Sequence, residues 1–225
     1  MLVVIEGIDG SGKGTVAGKL VTQLTDACYK VISLSFPRYE ETLNGKLVGR
    51  YLNGDFGDST HPYLHGTLYS LDRFESKGYL EGALLTHDVV VCDRYIPSNL
   101  CYSSMKAPKE DRDEIVKHFV DLEYGCFEMP VPDVIFFLDV PVKFALQNIA
   151  KKAARTYTDK PADLHEADEE YLSKVRGFYK SRLMKNHPPT CFESIPCTRN
   201  GHLLPIDKIV EHVQTMTISM MKGER

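Results

Sequence analysis

Leu2-Val3-Val4-Ile5-Glu6-Gly7-Ile8-Asp9-Gly10-Ser11-Gly12-Lys13-Gly14-Thr15 opens the chain, and its reading decides the fold. The apolar run Leu2 to Ile5 is what a short strand buried on both faces requires. It breaks into a glycine-rich turn, after which Val16, Leu20, Val21 and Leu24 recur at helical spacing. Glycines let successive backbone N–H groups converge on one point, and the following helix sets its positive end beneath that point. Lys13 adds a mobile positive charge suited to nucleotide β- and γ-phosphates. Strand, loop and helix in this order predict a phosphate-cradling loop, with Gly7, Gly10, Ser11, Gly12, Lys13, Gly14 and Thr15 as its nucleotide-binding residues. One departure stands out. The usual pattern has Ser or Thr directly after the lysine as a Mg²⁺ ligand, but here Gly14 intervenes. Water or a carboxylate is expected to take that place.

Further strands follow from the same logic. Val31 to Phe36 closes at Pro37, Val89 to Cys92 ends at Asp93, and Val134 to Leu138 is entered through Pro132-Asp133. A weaker candidate lies at Cys191 to Ile195. Helical stretches are expected near 62 to 86, 110 to 124, 141 to 154, 166 to 186 and 205 to 221. Strands alternating with helices predict one α/β domain over 1–225, a parallel five-stranded sheet covered by helices on both faces.

The 225 residues are 43% hydrophobic and 26% charged, a balance that suits a globular chain rather than a disordered one. A net charge of −4 gives no global field for a nucleic-acid polymer. The apolar runs are too short to span a membrane, and the first residues lack a basic leader, so neither anchor nor signal peptide is expected. Six cysteines at positions 28, 92, 101, 126, 191 and 197 form no CxxC pair. That spacing fits reduced thiols, and a cytoplasmic location is expected. Cys191, Cys197, His187 and His202 match no common zinc spacing.

Ligands of open α/β sheets bind beyond the carboxyl ends of the strands. Phe36-Pro37-Arg38-Tyr39 and Asp93-Arg94-Tyr95 follow two such ends. Arg38 and Arg94 could hold a second phosphate there, because a planar guanidinium matches phosphate oxygens bidentately.

Taken together, these stretches resemble the thymidylate kinase family, P-loop NTPase-type enzymes that phosphorylate dTMP with ATP. Ile5 to Lys13, Phe36-Pro37-Arg38-Tyr39, Leu71-Asp72-Arg73, Asp93 to Asn99, Pro132-Asp133 and Asp163 to Glu166 carry the resemblance in family order. It implies that Asp9 contacts the sugar 3′-hydroxyl and helps hold Mg²⁺. Arg94, Arg38 and Tyr39 would hold or orient the dTMP phosphate. Tyr69 would stack on thymine, Arg73 and Asn99 would read its polar edge, Phe36 would pack on the nucleoside, and Tyr102 would lie beneath the sugar. Lys13, Arg94, Arg155 and Asp9 are the catalytic candidates.

Phosphoryl transfer needs positive charge over the moving group, and a closing loop can bring it while excluding water. The segment Lys151 to Lys160 reads as such a lid, reaching to about 166. The resemblance to bacterial-type members implies that the lid supplies the charge, with Arg155 as its carrier, and that Glu166 helps with the metal. It also implies a homodimer through the helices near 62 to 86 and 110 to 124. Adenylate kinase shares the Gly12-Lys13-Gly14-Thr15 ending, but that family resembles a Gly-x-Pro-Gly pattern and Asp9 takes the proline position. A deoxynucleoside kinase, or a nucleotide switch without turnover, are the other readings. The switch needs no second phosphate site, so Arg38, Tyr69, Arg73 and Asn99 weigh against it.

Overall fold

The N-terminal run becomes the middle strand of the sheet. In the computed structural model, which describes residues 1–57, 61–151, 169–183 and 190–224, β1 (Leu2–Glu6) is fully buried. It pairs in parallel with β3 (Val89–Asp93) on one side and β4 (Val134–Asp139) on the other. β2 (Val31–Ser35) and β5 (Cys191–Pro196) complete the order β2-β3-β1-β4-β5, all parallel. The five expected strands are all present.

The register sets Ile5 beside Asp93 and Phe136. Glu6, Asp93 and Asp139 therefore emerge along one carboxyl edge. Because neighbours of β1 lie on both sides, the chain turns in opposite directions there, which opens a crevice above β1. Val3, Val4, Ile5, Val90, Val91 and Ile135 are all sealed from solvent. Each such aliphatic side chain contributes roughly 1.5–3 kcal/mol of burial.

Helices cover the sheet. α1 (Lys13–Asp26) follows β1, and α2 (Leu43–Asn53) follows β2. The expected helix over 62 to 86 divides at Ser76 into α3 (Pro62–Glu75) and α4 (Lys77–Thr86). α5 (Ile96–Met105) follows β3. The stretch near 110 to 124 becomes α6 (Arg112–Val120), preceded by a 3₁₀ turn and followed by a π-helical turn, Asp121–Cys126. α7 (Val142–Ala150) and α8 (Glu169–Phe178) follow β4, and α9 (Ile206–Met221) packs on α1. A short hairpin, β6 (Thr198–Arg199) with β7 (His202–Leu203), leads into α9.

α2, α5 and the hairpin are absent from the sequence expectations. For α5 the reason is physical. All ten of its residues are buried, so it has no polar face and no amphipathic period to read.

Candidate active site

β1 ends at Glu6, and the loop Gly7–Gly12 turns the chain into α1. Gly12 caps that helix in the left-handed region at φ 86°, and Gly10 sits at φ 74°. A Cβ on Gly10 would stand 2.1 Å from the carbonyl oxygen of Ala145, so only glycine lets the loop lie against α7. Asn148 of α7 holds it there, donating to the Gly10 carbonyl at 2.9 Å. The backbone amides that start α1 face a cavity of about 500 Å³, well within the ~300–1,000 Å³ of small-ligand sites. Residues Asp9 to Thr15 form its floor, Asp93 and Arg94 one rim, and Leu203, Leu204, Ile206 and Ile209 an apolar wall. Sequence reading did not foresee that wall, because it comes from the hairpin and the start of α9.

Lys13 is buried, and its Nζ donates to the Ile8 carbonyl at 2.8 Å. Burial and the neighbouring Arg94 charge push its pKa down to about 8. An incoming polyphosphate would supply the counter-charge that restores its proton.

Arg94 follows β3 in the left-handed region, at φ 66°. A non-glycine residue held there costs of order 1–3 kcal/mol and commonly marks a functional position. Its guanidinium forms an ion pair with Asp9, donates to Ser98 Oγ at 3.2 Å and lies 5.4 Å from the Tyr102 ring centre. Tyr102 donates in turn to Asp9 Oδ2 at 2.7 Å. Asp9, Arg94 and Tyr102 are thus brought together beside Lys13.

Glu6 supports this group and carried no role in the sequence reading. It is fully buried and accepts from the backbone N–H groups of Tyr95 and Ser98, from Ser98 Oγ at 2.7 Å and from Tyr179 Oη at 2.8 Å. Burial raises its pKa, an effect opposed by Ser98, Arg94 and Tyr179. Its carboxylate therefore caps the start of α5 and, through Ser98, holds the residue that Arg94 leans on. A lone glutamate inside an apolar strand was the available signal.

Among the described residues no group of three or more His, Cys, Asp or Glu side chains gathers closely enough to hold an ion by protein ligands alone. One carboxylate nevertheless fits Mg²⁺. Asp93 Oδ1 is buried without a hydrogen-bond partner, on the rim of the cavity. A Cβ on Gly14 would lie 3.0 Å from Asp93 Oδ2, so this carboxylate stands over the place where a Ser or Thr side chain would begin. Mg²⁺ keeps several waters and takes one or two protein carboxylates plus phosphate oxygens. Thr15 is exposed on the cavity floor. Arg155 and Glu166, like the rest of the expected lid beyond Lys151, lie outside the described residues.

The acceptor-side residues divide into three groups. Phe36 is buried with its ring centre 5.9 Å from that of Tyr95. Tyr69 and Tyr39 pack on a small cluster of Val48, Tyr51, Leu52 and Leu68, with Tyr69 also 4.8 Å from the His65 ring. Arg38 points elsewhere. Its guanidinium lies 5.0 Å from the Tyr79 ring centre and 3.5 Å from Ser76 Oγ, lining a separate hollow beside β2. In this conformation Arg38 and Arg94 are not aimed at one anion. Asp72 anchors the Arg38 turn by accepting from Arg38 N at 3.1 Å and Thr42 Oγ1 at 2.5 Å.

Arg73 and Asn99 form the third group. Arg73 makes a two-point ion pair with Glu123, Nε to Oε2 at 2.5 Å and Nη2 to Oε1 at 2.6 Å. Asn99 Nδ2 reaches the same Oε1 at 2.9 Å. All three residues are buried. The structure brings together the two side chains expected to read a base, and it adds a carboxylate that sequence reading missed.

A parallel sheet, a glycine loop at its switch point and a cationic cluster on the acceptor side define a P-loop nucleotide phosphotransferase. Comparison with known proteins narrows the class. The thymidylate kinase family model matches residues 5–187. The thymidylate kinase of Mycobacterium tuberculosis is 30% identical over 180 residues, spanning 80% of this chain and 84% of its own. A probable thymidylate kinase of Pyrococcus horikoshii is 31% identical over 187 residues, spanning 81% and 86%. The solved structure of thymidylate kinase from Candida albicans superposes with a TM-score of 0.73 at 22% identity, covering 100% of this chain and 93% of that one. The chain belongs to the thymidylate kinase family.

Proposed function

We propose that Lys13, Arg94 and Asp93, at the mouth of the glycine loop, serve the family reaction in this enzyme, transfer of the ATP γ-phosphoryl group to dTMP. The observation that carries this assignment is the shared rim: the loop lysine, the strained arginine and the unpartnered carboxylate all face one cavity.

ATP would lie with its phosphates over the α1 amides and its base against Leu203, Leu204 and Ile206. The dTMP phosphate would meet Arg94, with Arg38 turning inward from Tyr79 to join it. A phosphate oxygen of dTMP then attacks the γ-phosphorus in line as the bond to the β-bridging oxygen breaks, giving dTDP and ADP. Lys13 and Arg94 stabilise charge spread over the transferred group, and Arg155, by the family resemblance, would add to it. Magnesium, when bound, neutralises charge on the β- and γ-phosphates; Asp93 would hold it, with Asp9 and Glu166 assisting. Asp9 also faces the sugar 3′-hydroxyl, Tyr102 the sugar ring, Phe36, Tyr39 and Tyr69 the nucleoside, and Arg73 with Asn99 the base edge.

A homodimer is part of this reading. Leu64 and Phe74 on α3 are 49% and 46% exposed, and Phe74 stacks on Phe127 at 4.4 Å beside α6. Their exposure supports burial by a second copy, and sedimentation at micromolar concentration by analytical ultracentrifugation would distinguish dimer from monomer. A cytoplasmic location is proposed as well; no described helix is long and apolar enough to cross a membrane. The central test is coupled ADP release with a panel of nucleoside monophosphates. dTMP should give the highest kcat/KM. Failure of every monophosphate to stimulate ADP release would sink the assignment.

A further inference from the structure

Glu123 lies in the π-helical turn after α6, where the i to i+5 bond from Phe127 N to Leu122 O replaces the α-helical pattern. Such turns re-aim a side chain relative to a regular helix and recur at functional sites. Here the side chain is fully buried, and it takes every donor around it: Arg73 through Nε and Nη2, Ser70 Oγ at 2.9 Å, and Asn99 Nδ2 at 2.9 Å.

A carboxylate only accepts hydrogen bonds, whereas an amide side chain has one donating and one accepting end. The Asn99 end that faces Glu123 must therefore be its NH₂. Gly66 O at 3.1 Å and Ser70 Oγ at 3.0 Å lie on that same end. Asn99 Oδ1 accepts from Ser103 Oγ at 2.9 Å. One lone pair of that oxygen is left to serve a ligand.

We propose that Glu123 is the positioning residue for base choice: by locking the Asn99 amide and the Arg73 guanidinium, it makes the pocket read a 4-oxo, N3–H pyrimidine edge. Thymine offers N3–H to an acceptor and O4 to a donor, matching Asn99 Oδ1 and Arg73. Cytosine reverses both, with a bare N3 and an N4 amino group. It would leave the asparagine oxygen facing a lone pair and the arginine facing donors, and unpaired buried polar groups are what reject an analogue most strongly. The inference rests on the proposed placement of Arg73 and Asn99 at the base edge.

The test compares kcat and KM for dTMP and dCMP in wild type, Glu123→Gln and Asn99→Ala. Glutamine has one accepting end, so its NH₂ must meet a donor of Arg73 or Asn99 and push that side chain out of place. The dTMP-to-dCMP ratio of kcat/KM should fall by ~10-fold or more in Glu123→Gln, mainly through KM, since ground-state binding is lost. Asn99→Ala should narrow it too. If Asn99→Ala narrows the ratio and Glu123→Gln leaves it within twofold, the positioning role is overturned while the base-edge reading stands. If neither variant moves it, both are overturned. If only Glu123→Gln moves it, Glu123 does not act through Asn99 and the proposal also fails. Should the glutamine variant not fold, Glu123→Asp keeps the charge opposite Arg73 but draws it back from Asn99. The same narrowing is expected there, and a wild-type ratio would overturn the proposal.

Discussion

Tyr102 donates its hydroxyl to Asp9 Oδ2 across 2.7 Å, tying the buried helix α5 to the phosphate loop. The bond uses the polar tip of the ring, while its face lies toward Arg94. Tyr171 of α8 grips the same residue from behind, donating to the Tyr102 carbonyl at 3.1 Å. One tyrosine therefore couples the loop, the strained arginine and the helix that follows the expected lid.

Replacing it should separate two roles. In Tyr102→Ala the space beneath the sugar opens, and preference for dTMP over its ribose counterpart should fall by tens of fold, matching a clash and desolvation cost of ~1–3 kcal/mol. Tyr102→Phe keeps the ring and should retain the sugar preference while kcat drops, because Asp9 Oδ2 loses the tyrosine donor. The check is kcat/KM for both nucleotides in each variant. An unchanged ratio in Tyr102→Ala would make the residue a packing element only.

The lowered pKa of Lys13, about 8, gives a pH signature. The free enzyme must carry this proton to attract ATP, so kcat/KM for ATP should decline as pH rises through about 8. kcat should hold to higher pH, since bound phosphates restore the proton. Lys13→Ala should lower kcat by ~10²-fold or more and abolish that alkaline limb. The effect on folding has the opposite sense. Between about 8 and the ordinary 10.5 the unfolded chain binds more protons at this residue than the native state does, so its contribution to stability rises with pH.

Asp93→Asn tests the metal assignment. Because Asp93 Oδ1 has no hydrogen-bond partner to lose, the variant should melt close to wild type. Its half-saturating Mg²⁺ concentration should rise and its kcat fall by ~10-fold or more. A wild-type Mg²⁺ titration in Asp93→Asn would assign the metal to other carboxylates.

Arg73→Met removes one half of a fully buried ion pair. The stranded Glu123 charge should cost ~3–5 kcal/mol in urea unfolding. Adding Glu123→Leu removes that charge, so the double variant should be more stable than Arg73→Met alone. It should still bind dTMP weakly, because no donor for the base returns. Equal stability of single and double variants would mean the pair is not the source of the loss.

Much of this molecule was legible in order along the chain. The five strands, the loop and the placement of Arg94 at a strand end beside it follow from local pattern and strand-end position. α5 was not legible, since a helix buried on every side has no periodic contrast. Glu123 was not legible either. It sits 50 residues from Arg73 and 24 from Asn99, in a stretch of ordinary helical polarity.

The sequence by itself determined the sheet, because strand burial and glycine-loop geometry are properties of contiguous residues. It also determined the glycine loop, where one contiguous stretch supplies the amides, the lysine and the helix end together. Only tertiary structure decided the partners: Glu6 beneath Arg94, Asp93 over Gly14, Glu123 between Arg73 and Asn99, and Arg38 turned toward Tyr79. A buried charge is held by whatever groups the fold brings within hydrogen-bond reach, and that distance is set by packing across helices, not by spacing along the chain.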